Sequence, residues 1–153
     1  MGTSQYNIRR ATVSDLDWLI PQLKDFSQFF GSSIPLFPSE DFARTALAQM
    51  ITDHLVLIAE HKTSGPVGFI SGYLFPHAFN PQINVLTETF WWVQEDYRSS
   101  RAGLMLLEEF TKFGRAHADW ITFTLEHHSP VRDETLLKRG YRFSEKSFLM
   151  EVV

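Results

Sequence analysis

The stretch WVQEDYRSSRAGLMLLEEF, residues 92–110, carries the pattern with the clearest chemical content. A β-rich run ends near Val93, a short polar loop follows, and an amphipathic helical pattern begins near Arg101. The first backbone N–H groups of a helix have no intrahelical acceptor and lie at the positive end of its dipole, so such a turn favours an anion. Ser99, Ser100, Ala102 and Gly103 are small enough to let a phosphate approach the backbone, while Arg98 and Arg101 add positive charge. A pyrophosphate fits this pattern. So does a plainly capped helix with two solvated arginines, and the turn alone does not choose between them.

The rest of the chain must position that turn. Its 153 residues, 44% hydrophobic and 21% charged, suit a single domain spanning 1–153 with one core, well supplied by 14 Phe, 4 Trp and 4 Tyr. A formal charge of −4 argues against general attraction to nucleic acid or to anionic membranes. The absence of Cys removes any disulfide framework, thiolate nucleophile or Cys-based zinc site and suits a reducing cytoplasm; no metal site is expected. No apolar run approaches the roughly 20 residues that span a bilayer, and no signal peptide opens the chain. Met1-Gly2 is not read as a myristoylation signal, because position 6 is Tyr6.

Periodicity supplies the elements. Tyr6 to Ala11 reads as a strand, and Ser14 with Asp17 caps a helix through Leu16, Leu19, Ile20, Leu23 and Phe26 that Pro21 should kink or divide. Ser39 caps a second helix through Phe42, Ala46, Leu47 and Met50. HLVLIAEH and VGFISGYLF form a hairpin, PHAFNPQ a connection, and NVLTETFWWV a third long strand. A helix from about Arg101 to Ala118, with Leu104, Leu107, Phe110 and Phe113 facing the core, leads to the strand WITFTL. A short helix opening at Pro130 and ending near Gly140 precedes closing strand material in YRFSEKSFLMEVV. The strand–helix–strand span from Asn84 to Leu125 suits one parallel crossover, so the sheet is mixed.

With these elements around it, the turn resembles the signature of the GNAT superfamily of acetyl-CoA-dependent N-acetyltransferases: Arg or Gln, two residues, Gly, one residue, then Gly or Ala. Here it reads Arg98-Ser99-Ser100-Arg101-Ala102-Gly103, preceded by Val93 and followed by the Leu-rich LMLLEEF. WITFTL, PVRDETLLKR and GYRF match the family's later strand, short helix and closing aromatic strand, so the resemblance covers nearly the whole chain. It implies an α/β (α+β) fold with a mixed, mostly antiparallel sheet flanked by helices, in which one parallel strand pair splays to hold the cosubstrate. Some positions depart from the pattern. Arg101 replaces the first Gly of the signature, and Leu136 occupies the place where many members carry the Tyr that protonates the departing thiolate.

The resemblance further implies direct attack of a primary amine on the acetyl thioester of acetyl-CoA, with no acyl-enzyme. It places cosubstrate contacts at Trp92, Val93, Arg98, Ser99, Ser100, Arg101, Ala102, Gly103 and Ser129, the last standing where many members have Asn. Gly103 should have a steric reason to be glycine, since a side chain there would point at the diphosphate or at the packed strand. A general base is required because an alkyl amine is mostly ammonium at neutral pH. Glu88 is the first candidate: it lies inside an apolar strand, and a period of two places it on one face with Phe90 and Trp92. An edge-exposed or structurally paired Glu88 is the competing reading. His127 and His128 follow the next strand and are alternative bases or plain loop residues, and Tyr97 and Tyr141 are alternative proton donors or packing residues. Phe29, Phe30 and Phe37 lie where the family shapes its acceptor pocket. Trp91 and Trp92 should point to opposite faces, so at most one meets the cleft. The alternative function is a non-catalytic acyl-CoA-binding or protein-binding member of the same fold; a homodimer is possible through the final strand edges.

Overall fold

The structure, a computed structural model, describes residues 4–33 and 35–152; the Met1-Gly2 start, Ile34 and Val153 lie outside them. Five strands form one sheet in the order β1 (Tyr6–Arg10), β2 (Leu55–His61), β3 (Gly65–His77), β4 (Asn80–Val93) and β5 (Trp120–Thr122). The first three pairings are antiparallel and the last, β4 with β5, is parallel. Helices α1 (Leu16–Phe30) and α2 (Glu40–Asp53) stand between β1 and β2, α3 (Ala102–His117) makes the crossover from β4 to β5, and α4 (Asp133–Leu137) follows β5. No helix of the described residues is long and apolar enough to cross a membrane.

The sheet separates two apolar layers because neighbouring strand residues face opposite ways. On one face, Leu19, Ile20 and Leu23 of α1 and Leu47 and Met50 of α2 pack with Val56, Ile58 and Phe69. On the other, Ala102, Leu106 and Phe110 of α3 pack with Leu55, Leu57, Ile70 and Leu86. Gly114 lets α3 lie close to the sheet: a Cβ there would come within 2.5 Å of Ile121 Cδ1.

Several local readings change. Thr12 and Asp15, rather than Ser14 and Asp17, form the capping box before α1, with the Thr12 N–H donating to Asp15 Oδ2 at 2.7 Å. Arg9 grips the same carboxylate at 2.8 Å and Glu60 at 3.1 Å, tying β1 to the helix start and to β2. Pro21 does not divide α1: it sits within the second turn, where the missing N–H removes a single hydrogen bond. Ser39 caps α2 as the sequence indicates, accepting from the Phe42 N–H, but Ala43 rather than the exposed Phe42 joins the core. Leu106 replaces Leu104 on the buried stripe of α3. The Pro-rich connection is mostly strand, since β3 and β4 extend to a tight turn at Ala78-Phe79.

The largest difference is C-terminal. β5 stops at Thr122, and residues 141–152 form no strand; Phe143, Phe148, Leu149 and Met150 face outward. Three paired residues leave β5 too short an edge to template a further long strand. The segment is instead held at its end, where Glu151 accepts hydrogen bonds from Ser32 Oγ at 2.6 Å, the Ser33 N–H at 3.0 Å and the Ser33 hydroxyl.

Candidate active site

β4 and β5 pair only over Val85↔Trp120, Leu86↔Ile121 and Thr87↔Thr122. Beyond Thr87 the two chains diverge while β4 continues to Val93, so a gap opens on the β5 side of β4, and Glu88 stands at its apex. The other edge of β4 is irregular at the same place. β3 pairs Ser71 with Phe90 and Gly72 with Glu88, which leaves Thr89 as an extra residue; its hydroxyl shares a 2.8 Å hydrogen bond with Ser71 Oγ. Such a bulge resets the alternation of side chains.

That reset changes the setting of Glu88. Gly72, its cross-strand neighbour, is on the α3 face, for a Cβ there would meet Phe110 Cε2 at 2.8 Å. Glu88 therefore shares the α3 face, whereas Phe90 and Trp92 join the α1 and α2 layer. The uniform period of two across residues 88–92 does not hold. Glu88 is 9% exposed and has no cation against it; burial pushes its carboxyl up to about 8, opposed only by a hydrogen bond from the Thr124 backbone N–H. At neutral pH it is mostly the uncharged acid.

This makes a stability prediction. The folded state keeps a proton that the unfolded chain releases above about pH 4.5, so the contribution of Glu88 to stability is greatest below that value, falls as pH rises towards 8, and levels off beyond it. Denaturant melts at pH 5 and pH 8.5 should differ for wild type by up to roughly 3–5 kcal/mol. Glu88→Gln should show a much smaller difference. Equal slopes with pH for both proteins would contradict the burial of an uncompensated carboxyl.

The turn after β4 is built from its own hydrogen bonds. Residues Glu95–Tyr97 form one 3-10 turn, Ser100 Oγ donates to the Tyr97 carbonyl at 2.6 Å, and the Ala102 N–H donates to Ser100 Oγ at 3.2 Å. Arg98 is not free in solvent: its Nε donates to the Val93 carbonyl at 2.9 Å and its guanidinium lies 4.4 Å from the Trp92 ring centroid. It fastens the loop to the end of β4. Ser99 and Arg101 are exposed at the mouth of the turn. At Gly103 a Cβ would touch Val93 Cγ2 at 3.6 Å and Trp91 Cζ2 at 3.9 Å, so it points to the packed strand. A methyl fits there; a branched side chain presses on both neighbours.

The three candidate acceptor-pocket residues gather on the α1 face. Phe29 meets Trp92 at 5.8 Å and His128 at 6.2 Å between ring centroids, and Phe37 meets Phe90 at 6.1 Å; Phe30 packs on Phe26 instead of on β4. A cavity of about 770 Å³ opens beside Phe29, Trp92 and Arg98, and Asp25, Glu95 and Asp96 give it an acidic rim. Sequence reasoning missed these carboxylates, which come from separated segments and carry no shared motif.

The remaining candidates spread around the diverging end of β5. His127 Nδ1 lies 2.7 Å from Glu126 Oε1, and the ligand atoms of Glu126, His127 and His128 fall within 4.8 Å of one another, with both imidazoles exposed. Ser129 closes this turn, its N–H donating to the Glu126 carbonyl and its hydroxyl accepting from the Val131 N–H. Tyr141 packs on Phe123 and shares a 2.7 Å hydrogen bond with Thr111, and burial raises its hydroxyl above the ordinary value. Tyr97 donates to Ser64 at 2.7 Å. Leu136, in α4, has no proton to give.

No family model matches the chain, and no curated protein matches it. Solved structures do. A ribosomal-protein-alanine N-acetyltransferase from Brucella melitensis biovar Abortus 2308 superimposes with a TM-score of 0.75 at 16% identity, over 98% of this chain and 99% of that one. A predicted acetyltransferase with acetyl-CoA from Clostridium acetobutylicum gives 0.74 at 12% identity, over 95% and 96%. Glucosamine-6-phosphate N-acetyltransferase from Arabidopsis thaliana gives 0.70 at 15% identity, over 98% and 99%. The fold is the GNAT acetyltransferase fold.

Proposed function

We propose that the protein transfers an acetyl group from acetyl-CoA to a primary amine. One observation carries this reading: the parallel strands β4 and β5 part at Glu88, and the N-terminus of α3 stands at the far end of the opening. A long, thin cosubstrate with a diphosphate at one end and a reactive group at the other suits that arrangement. The residues present fit it, since Ser99 and Arg101 are exposed at the turn and the Ala102 side chain turns away into the core. Acetyl-CoA supplies the activated acyl group.

The chain's own residues would then bind, orient and move protons. The α3 N-terminus and Arg101 hold the diphosphate, and Arg98 keeps the loop in place through Val93 and Trp92. A backbone N–H near Trp92 and Val93 meets the thioester oxygen as charge develops on it. The amine nitrogen forms the new amide bond to the acetyl carbon, the carbon–sulfur bond breaks, and the proton lost from nitrogen must reach sulfur. Glu88, between the two strands, is the group that accepts that proton and returns it, the second step being needed because Leu136 replaces the usual donor. The acidic rim of Asp25, Glu95 and Asp96, on the α1 face of the sheet across from Glu88, suits the approach of an acceptor as an ammonium ion and takes no part in the proton transfer. Without Cys, the protein suits a reducing cytoplasm.

Titration calorimetry with CoA tests the reading. Binding should be measurable, should weaken with added salt as a phosphate contact requires, and should fall roughly tenfold in Arg98→Ala, because the loop loses its anchor on β4. No heat and no thermal shift at millimolar CoA would reject acetyl transfer. Tight CoA binding without turnover across small amines, peptides and aminoglycosides would select the non-catalytic alternative.

A further inference from the structure

Two buried side-chain polar atoms of the described residues lack a hydrogen-bond partner, Gln22 Oε1 in α1 and Trp91 Nε1 in β4. The second lies where the cosubstrate of the proposed function would enter. Trp91 projects to the α3 face, opposite to Trp92. Its ring meets Phe123, on the diverging chain after β5, edge-on at 5.3 Å, and its Nε1 lies 4.0 Å from where a Cβ of Gly103 would stand. The nitrogen thus sits in the angle between β4, the departing chain and the first turn of α3. An indole N–H is a donor only, so no rotation or tautomer satisfies it, and burying it without an acceptor is costly. Phenylalanine would place an aromatic ring there without that cost.

We propose that the Trp91 indole N–H donates to an amide carbonyl oxygen of the pantetheine arm of CoA, in the gap between β4 and the chain that follows β5. The inference rests on the reading of the protein as a CoA-dependent acetyltransferase. An acceptor is what the site is short of, and the pantetheine arm brings two amide carbonyls along its length. Arg101 and the α3 N-terminus supply donors for the diphosphate at the outer end, which leaves the buried indole for the inner arm. Trp91 is a positioning residue in this assignment, setting the depth of the arm.

Calorimetry with CoA and with ADP, which shares the diphosphate but lacks pantetheine, separates the possibilities. Trp91→Phe keeps an aromatic ring, smaller than the indole, and removes the donor. It should bind CoA about tenfold more weakly, the worth of one neutral hydrogen bond, bind ADP as wild type does, and melt within a few degrees of wild type without ligand. An unchanged CoA affinity in the variant overturns the inference and leaves the acetyltransferase reading intact. An equal loss for CoA and ADP also overturns it, by moving the donor to the diphosphate. Should the variant not fold, the indole proton resonance of wild-type protein decides: a downfield shift of the Trp91 signal with CoA and none with ADP supports the bond, and an unmoved signal under saturating CoA rejects it. Wild type that binds no CoA rejects the acetyl-transfer reading itself, and this assignment with it.

Discussion

Glu88→Gln should lower kcat at pH 8.5 by roughly 10²- to 10⁴-fold, the usual worth of a positioned base, while leaving CoA affinity near that of wild type. The size of the deficit should depend on pH in a definite direction. Burial holds the Glu88 carboxyl near 8, so only about a tenth of the molecules carry the ionised, proton-accepting form at pH 7. Wild-type turnover should therefore rise about tenfold between pH 7 and a plateau above pH 8, and the variant should lack that inflection. Its remaining activity should climb only with the neutral fraction of the amine. The deficit consequently narrows at high pH, where the amine is already neutral and wild type has reached its plateau. His127→Ala or His128→Ala should change little, since both imidazoles are exposed and His127 is engaged by Glu126. Rate profiles from pH 6 to 9 for wild type and Glu88→Gln decide the matter; parallel profiles would remove Glu88 from the proton path, and a collapse in a histidine variant would transfer the role to the loop.

Why the carboxyl behaves in this way was only half visible in the sequence. A Glu inside NVLTETFWWV is conspicuous by type, and the strand around it is plain from its β-branched and aromatic residues. The bulge at Thr89 is not plain. It depends on how β3 and β4 register against one another, a relation between two segments that no period within either one records. A strict alternation put Glu88 beside Trp92; the extra residue puts it beneath α3 instead. The Thr124 N–H that supports it comes from yet another segment.

The same division runs through the rest of the molecule. Ser39 as a cap, the amphipathic α3 and the parallel crossover rest on local pattern and chain length, and the structure shows all three. Cap choice before α1 was missed because Arg9, itself held by Glu60 of the neighbouring strand, recruits Asp15 through an ion pair. The closing strand failed for a related reason: YRFSEKSFLMEVV has strand-like composition, but a strand needs an edge, and β5 offers three residues. At the site, the signature turn was legible from small residues and arginines in sequence, while the orphaned Trp91 N–H and the acidic rim of Asp25, Glu95 and Asp96 exist only once distant segments meet.

Gly72→Val should be the most damaging single change near the site, by about 3 kcal/mol or more, with Gly72→Ala nearer 1–3 kcal/mol. Gly72 lies opposite Glu88 in the β3–β4 ladder, and a Cβ built on it would stand 2.8 Å from both Phe110 Cε2 and the Thr87 carbonyl oxygen. Neither neighbour is a yielding one. The Phe110 ring is fully buried beneath α3, and the carbonyl belongs to the backbone of β4 at the last residue paired with β5. Relief requires α3 to lift or β4 to shift, and both movements disturb the point at which the strands part. For a chain of this length about 3 kcal/mol corresponds to a fall of roughly 6–12 °C in Tm. Opening space should undo part of the harm: Phe110→Leu costs stability alone, yet Gly72→Ala with Phe110→Leu should be less destabilised than the sum of the two single changes, the signature of a shared steric conflict. Simple additivity would place the conflict elsewhere, and a Gly72→Val protein that melts like wild type would contradict the close approach of α3 to the sheet beside Glu88.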